Sequence, residues 1–137
     1  MGNIAGYSQD HLNRDNVLDS ANELVTLLVN MGVNPHTART LICLHVHGVS
    51  SSPQLQERCM IRQPDVSIAI NQLKEMGLVL VESISKGTRG RPSHVYSLAH
   101  PLRTCLAPFL NTAQVRLEII QNQLTQASKL AEIISVP

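Results

Sequence analysis

The sequence predicts a mainly α-helical protein with one small β-hairpin, and three observations carry that expectation. Apolar residues make up 43% of the 137 residues and aromatic ones only 2%, so Leu, Ile, Val, Met and Ala must build the core, which suits packed helices. Several stretches repeat apolar residues at three- and four-residue spacing, opened by Asn-Pro, Ser-Pro or Gln-Pro and closed by Gly. One region breaks that period, where two β-favouring runs flank a turn rich in Gly and Arg. A chain of this length holds one domain with appended helices.

Residues 1–15 are polar and lack periodicity, which predicts a flexible N-terminal arm. From Asn16 onward, Val17, Ala21, Leu24, Val25 and Leu28 share one face of a first helix that stops near Gly32. Asn34-Pro35 reads as a cap with proline in the first turn of a second helix, in which Ala38, Leu41, Ile42, Leu44 and Val46 are dense enough for burial and Gly48 is the stop. Ser50-Ser51-Ser52-Pro53 caps a third, short helix over Gln54 to Cys59. A fourth helix, capped by Gln63 and carrying Pro64 in its first turn, turns Val66, Ile70 and Leu73 inward and ends at Gly77.

Leu78 to Ile84 and His94 to Leu98 read as antiparallel strands joined by a turn over 86–92, where Gly87 and Gly90 supply permissive backbone. Leu102 to the end is one helical pattern, with Pro108 near enough to its start to be tolerated. Leu106, Leu110, Ala113, Leu117, Ile120, Leu124, Ala127, Ala131 and Ile134 step by four and three alternately, a heptad seam. This predicts a domain over 16–101 and a coiled-coil-like dimerisation helix over 102–137, pairing two copies of the chain. Gln121, Asn122, Gln123 and Gln126 replace the charged flanks that would set partner orientation.

A formal net charge of +1 alone gives little reason to propose nucleic acid, but the distribution does. No acidic residue falls between Ser83 and Leu117, a stretch that holds Lys86, Arg89, Arg91, Arg103 and Arg116. Such a local basic field attracts phosphate even when the whole chain is nearly neutral.

Helix, helix, short helix, amphipathic helix and basic-tipped hairpin, in that order, is the plan of a winged helix-turn-helix. A helix enters the major groove only if its outward face carries short polar or cationic side chains while its inward face locks it to the domain. The candidate DNA-contacting residues are Ser52, then Arg62, Gln63, Pro64, Ser67, Asn71 and Lys74 on the fourth helix, then Lys86, Arg89 and Arg91 on the wing. Gln63 and Asn71 can pair bidentately with adenine, Arg62 can reach guanine or phosphate, and Ser67 suits base or backbone. Asp65, an acid in the first turn, favours the positive end of the helix.

The Arg62-Gln63-Pro64-Asp65-Val66-Ser67 lead-in, the Leu73-Lys74-Glu75-Met76-Gly77-Leu78-Val79 exit and the Lys86-Gly87-Thr88-Arg89-Gly90-Arg91-Pro92 wing together resemble the winged-helix transcriptional regulators of the MarR, ArsR and TrmB type, particularly small archaeal ones. The resemblance covers roughly residues 35–100. It implies double-stranded DNA as partner, contact at these helix and wing positions, and repression by a promoter-bound homodimer. Many such regulators carry a basic residue about two positions after the serine matching Ser67; here that residue is Ala69, which predicts one contact fewer and more reliance on the wing. Arg89-Gly90-Arg91-Pro92 also resembles an AT-hook core, in which arginines lie along a narrow minor groove.

Cys43 and His47 stand four apart on one helix, a spacing some metal pairs use, with Cys59 or His45 as conceivable third ligands; a core cysteine beside a half-buried histidine is the simpler account. Three scattered cysteines argue against a disulfide framework, and Cys105, beside the first seam position, could cross-link dimers under oxidation. His94 and His100 flank the second strand, close to phosphate or as exposed polar residues. No phosphate-binding glycine loop, metalloprotease pattern or nucleophile elbow is present, so the expectation is a protein that is not an enzyme and needs no cofactor or metal. No membrane-spanning run or secretion signal is legible, which predicts a cytoplasmic protein. The competing reading is a winged-helix module that binds protein within a transcription or assembly complex, without reading sequence.

Overall fold

A computed structural model describes the backbone of residues 2–84 and 93–137, and the side chains from Asn16 onward within that range. The first helix, α1, runs over Gly2–Asn30, so the segment expected as an arm is helical backbone from Gly2 and the helix starts well before Asn16. It ends where Gly32 adopts φ 101°, a left-handed conformation that glycine enters without penalty.

Helix α2, Pro35–His47, is capped as its sequence dictates: the Asn34 side chain accepts from the backbone N–H groups of His36 and Thr37, and Gly48 closes the helix at φ 77°. Thr37, Ala38, Thr40, Leu41, Ile42, Cys43 and Leu44 are all buried, making α2 the central rod of the domain. Helix α3, Ser52–Cys59, begins with a reciprocal capping box between Ser51 and Gln54. It ends at Met60, the one non-glycine residue with positive φ among the described residues.

Helix α4 covers Gln63–Glu75. Its N-cap is Arg62, whose side chain makes no capping hydrogen bond, in place of the expected Gln63. Pro64 in the first turn presets φ, and Gly77 at φ 74° lets the chain reverse towards the sheet.

Three strands form the sheet, in the order β1-β3-β2. Strands β2 (Val79–Ile84) and β3 (Ser93–Leu98) are antiparallel, in register from Val79 opposite Leu98 to Ile84 opposite Ser93. Strand β1 is only Ser50–Ser51, paired with Tyr96 and Val95, and the sequence reading missed it because two serines carry no strand signal. The core fills the space between α2, α3, α4 and the sheet with Leu28, Leu41, Leu44, Leu55, Val66 and Leu73, each almost wholly shielded from water.

Helix α5 runs over Leu102–Ser135 and contains Pro108 without interruption. Two compact units divide the chain, Met1–Cys105 and Leu106–Pro137, so the first unit keeps the opening residues of α5. In the second unit, exposed Leu110, Leu117, Ile120, Leu124 and Ile134 lie on the seam. Exposed Val115, Ile119 and Ile133 lie well away from it at about 100° per residue, while exposed Leu130 borders it, so the helix is apolar on two sides. Among the described residues no helix is long and apolar enough to cross a membrane.

Candidate nucleic-acid interface

The interface is built on α4. Val66, Ala69, Ile70 and Leu73 are buried and fix the inner face of the helix against the domain. Gln63, Pro64, Ser67, Ile68, Asn71 and Lys74 are exposed on the outside. Ser67, Asn71 and Lys74 follow at spacings of four and three, one stripe along the rod, and Pro64 precedes them by three. Arg62, also exposed, stands at the foot of the same helix. The sequence thus brings together the fourth-helix residues it nominated.

Two departures bear on the interface. Ala69 is fully buried, so its position faces the core and cannot be where a base or phosphate contact is lost. The neighbour that does point outward is Ile68, 61% exposed, which the inward stripe of 66, 69, 70 and 73 would have placed outside had the periodicity been followed residue by residue. An exposed aliphatic side chain among polar ones suits a thymine methyl group.

Side chains of α2 hold α4 in place. Thr37, fully buried, bonds to Gln72, and His36 Nε2 lies 3.7 Å from the Asp65 carboxylate in the first turn of α4. Asp65 therefore faces the protein as well as the positive helix end. Ser52, half-buried at the first position of α3, accepts from Gln56 Nε2 at 3.4 Å, and belongs to a different element from the α4 stripe. Lys86, Arg89 and Arg91 lie outside the described residues. The strands that lead to them are described, and Ser83 Oγ and His94 Nδ1 lie 3.2 Å apart across their base.

Among the described residues the cysteines and histidines do not gather as a metal centre, for no group of three or more His, Cys, Asp or Glu there could hold a metal ion. Cys43 is buried while His45 and His47 are exposed. The neighbour of Cys43 on α3 is instead Cys59, whose Sγ sits 3.9 Å from the Arg39 carbonyl, one turn before Cys43 on α2. Hydrogen bonding from Cys59 holds the Cys43 thiol below its ordinary value, against burial and with help from the Arg58 guanidinium. The same bond, together with burial, pushes the Cys59 thiol up.

Cys105 does not stand exposed beside the seam. It is fully buried, its Sγ 3.4 Å from the His100 carbonyl and 3.9 Å from that of Leu78, so it lacks the access that a cross-link between copies would need. Burial pushes its thiol up, and the hydrogen bond to His100 opposes that shift.

A half-open apolar cleft of about 540 Å³ lies in the first unit, lined on α1 by Val17, Ala21 and Leu24 and on α2 by Ile42 and Val46. The first-helix stripe therefore is not sealed in the core, for Val17 is 57% exposed and only Leu28 is fully buried.

Comparison with solved structures finds the same fold in DNA-associated proteins. TrmBL2, described as an archaeal chromatin protein with a novel mode of DNA binding, matches at a TM-score of 0.53 and 21% identity over 82% of this chain and 42% of its own length. The transcriptional regulator PA4135 matches at 0.50 and 16% identity, over 91% of this chain and 92% of its own. A MarR-family transcriptional regulator from Silicibacter pomeroyi gives 0.48 and 22% over 93% and 89%. The chain shares its fold with TrmBL2 and PA4135, a winged-helix fold as the sequence motifs led us to expect. No protein-family profile matches the chain, and no curated protein matches it.

Proposed function

We propose that this protein is a DNA-binding transcription regulator that acts as a homodimer, with α4 in the major groove and the 86–92 wing on the minor groove or phosphates. The observation that carries the reading is the division of α4 into a buried apolar face and an exposed face of Gln63, Ser67, Asn71 and Lys74. Short polar side chains on a rigidly seated helix are what base edges require. The regulators that share the fold support the same reading.

The exposed apolar residues of the second unit support dimerisation. A helix with apolar side chains on two sides leaves them in water unless other helices cover it, and a second copy of the same helix covers the seam. Two-fold pairing presents two copies of α4 to one duplex and multiplies affinity through effective concentration. Repression by promoter occupancy and a cytoplasmic location belong to the same proposal, as does a non-enzymatic role.

Duplex fragments selected from a random DNA pool, then titrated at several salt concentrations, test it. A steep salt slope that flattens when Arg89 and Arg91 become alanine is expected. Absence of any salt-dependent binding would favour the protein-binding module, for which exposed Ile68 on α4 would be the anchor.

A further inference from the structure

Helix α4 carries more than one outward stripe, and its contacts tell them apart. Val66, Ala69, Ile70 and Leu73 are buried and fix the inner face. At about 100° per residue, the line directly opposite runs through Pro64, Ile68, Asn71 and Glu75, at spacings of four, three and four, and all four are exposed. On one flank of that line stand Asp65 and Gln72, tied to α2 by His36 at 3.7 Å and by Thr37 at 2.7 Å, so this flank belongs to the protein. On the other stand Gln63, Ser67 and Lys74, exposed and either polar or cationic. A rod seated in the major groove turns the line opposite its buried face to the base edges, and its free cationic flank to phosphate.

Two residues of the outermost line do little for the fold. Ile68 is 61% exposed and adds little to the core. Glu75 is the last residue of α4, where the negative helix end disfavours an acid. Among the described residues it makes no hydrogen bond or ion pair that would offset this. Base edges supply what both lack. The pyrimidine C5-methyl group is the apolar feature of the major groove, and the cytosine N4 amine is a donor without an acceptor beside it on the same base. Adenine sets N7 next to its amine, and guanine and thymine offer acceptors, all of which repel a carboxylate.

We infer that Ile68, Asn71 and Glu75 form the base-reading edge of α4, with Ile68 against a pyrimidine C5-methyl group and Glu75 accepting from a cytosine N4 amine. The inference rests on the reading of α4 as the DNA-contacting helix and adds the bases it selects. From residue 68 to residue 75 the helix rises about 10 Å, so the two bases stand about three pairs apart with the Asn71 position between them. Glu75 acts by exclusion as much as by attraction. Opposite any base but cytosine, its carboxylate meets an acceptor or loses water without a full partner, which penalises wrong sequences.

The full-length protein, Glu75→Gln and Ile68→Ala are each used to select duplexes from a random DNA pool, and single-base changes in the wild-type winner are titrated at one salt concentration. The wild type is expected to enrich a thymine and, about three pairs away, a cytosine. Replacing that cytosine should weaken wild-type binding about tenfold. Glu75→Gln should move the preference there from cytosine to adenine, because a side-chain amide pairs with N6 and N7 together. A variant that merely folds less well would not exchange one base for another. Thymine→uracil removes only the methyl group and should weaken the wild type about fourfold, the worth of one buried methyl, while leaving Ile68→Ala unaffected. At the same position 5-methylcytosine should bind the wild type more tightly than cytosine does, again without effect in Ile68→Ala. If the wild type selects no duplex, the reading of α4 as a DNA-contacting helix fails, and this inference with it. If the wild type selects duplexes but either variant keeps the wild-type preference at its own position, the inference alone is overturned.

Discussion

The hydroxyl of Thr37 on α2 donates to Oε1 of Gln72 on α4 at 2.7 Å, joining the buried central helix to the one that carries the candidate contacts. Thr37 is fully buried, while Gln72 belongs to an exposed position, so one end of the bond is shielded and the other can be solvated. Thr37→Val should therefore cost about 1 kcal/mol, the usual net worth of such a bond, because Gln72 can turn to water. Urea unfolding of the two proteins measures it. A loss above about 3 kcal/mol would mean that the bond closes a larger network than the geometry gives it.

Two neighbouring aliphatic side chains on α4 should behave oppositely. Leu73 is wholly buried, and Leu73→Ala should cost about 2–5 kcal/mol from lost transfer energy and the cavity left behind. Ile68 is 61% exposed, and Ile68→Ala should leave stability within about 0.5 kcal/mol. DNA affinity separates them further, since the Ile68 variant should weaken binding at thymine-containing positions while its thermal midpoint holds.

On the outer stripe, Asn71 and Lys74 test readout against attraction. Asn71→Ala should cost about 1–3 kcal/mol and relax preference at one base position. Lys74→Ala should weaken all duplexes alike and lower the salt slope by about 1. Equal effects of the two substitutions on every duplex would argue that α4 does not read bases.

The two left-handed residues that bracket α4 give a stability test. Gly77 stands at φ 74° with open space where a Cβ would be, so Gly77→Ala should cost about 1–2 kcal/mol by backbone strain alone. Met60 bears that strain already, at φ 54° and 85% exposed, so Met60→Gly should stabilise by about 0.5–1 kcal/mol. Chemical denaturation of both variants provides the comparison, and opposite signs are the expected result.

Burial pushes the Cys105 thiol above its ordinary 9.0, and the direction sets a pH dependence. In the folded chain the thiol keeps its proton at pH values where the unfolded chain has begun to lose it. The unfolded state then binds fewer protons, so this contribution is complete below pH 9 and is lost as pH rises beyond it. Stability measured between pH 8 and 11 should fall less steeply in Cys105→Ala, and a maleimide should leave Cys105 unlabelled in the folded protein at pH 8.

Much of the domain was legible because its punctuation is local. Asn34-Pro35, Ser51 with Gln54, Gly48 and Gly77 each determine a helix end through a neighbour no more than a few residues away, and the helix ends fall on or beside them. The Val66, Ile70 and Leu73 stripe likewise follows from 3.6 residues per turn. The rest depends on distant partners. Ser50 and Ser51 become a strand only because Tyr96 and Val95 lie alongside. Cys43 and Cys59 meet because α3 folds back on α2, and their spacing in sequence carries no trace of it. The helical backbone from Gly2 was missed because polar residues without an apolar period give no sign of a helix.

The two serines of β1 give the domain a mechanical closure. Strand β3 is clasped on both edges, by β2 on one side and by the threshold of α3 on the other, and Arg58 grips the buried Ser50 from within α3 itself. A force on the hairpin is thus delivered to the helical half through a backbone clamp rather than through soft side-chain contacts. Hairpin and helices are thereby joined through main-chain pairing as well as through side-chain packing.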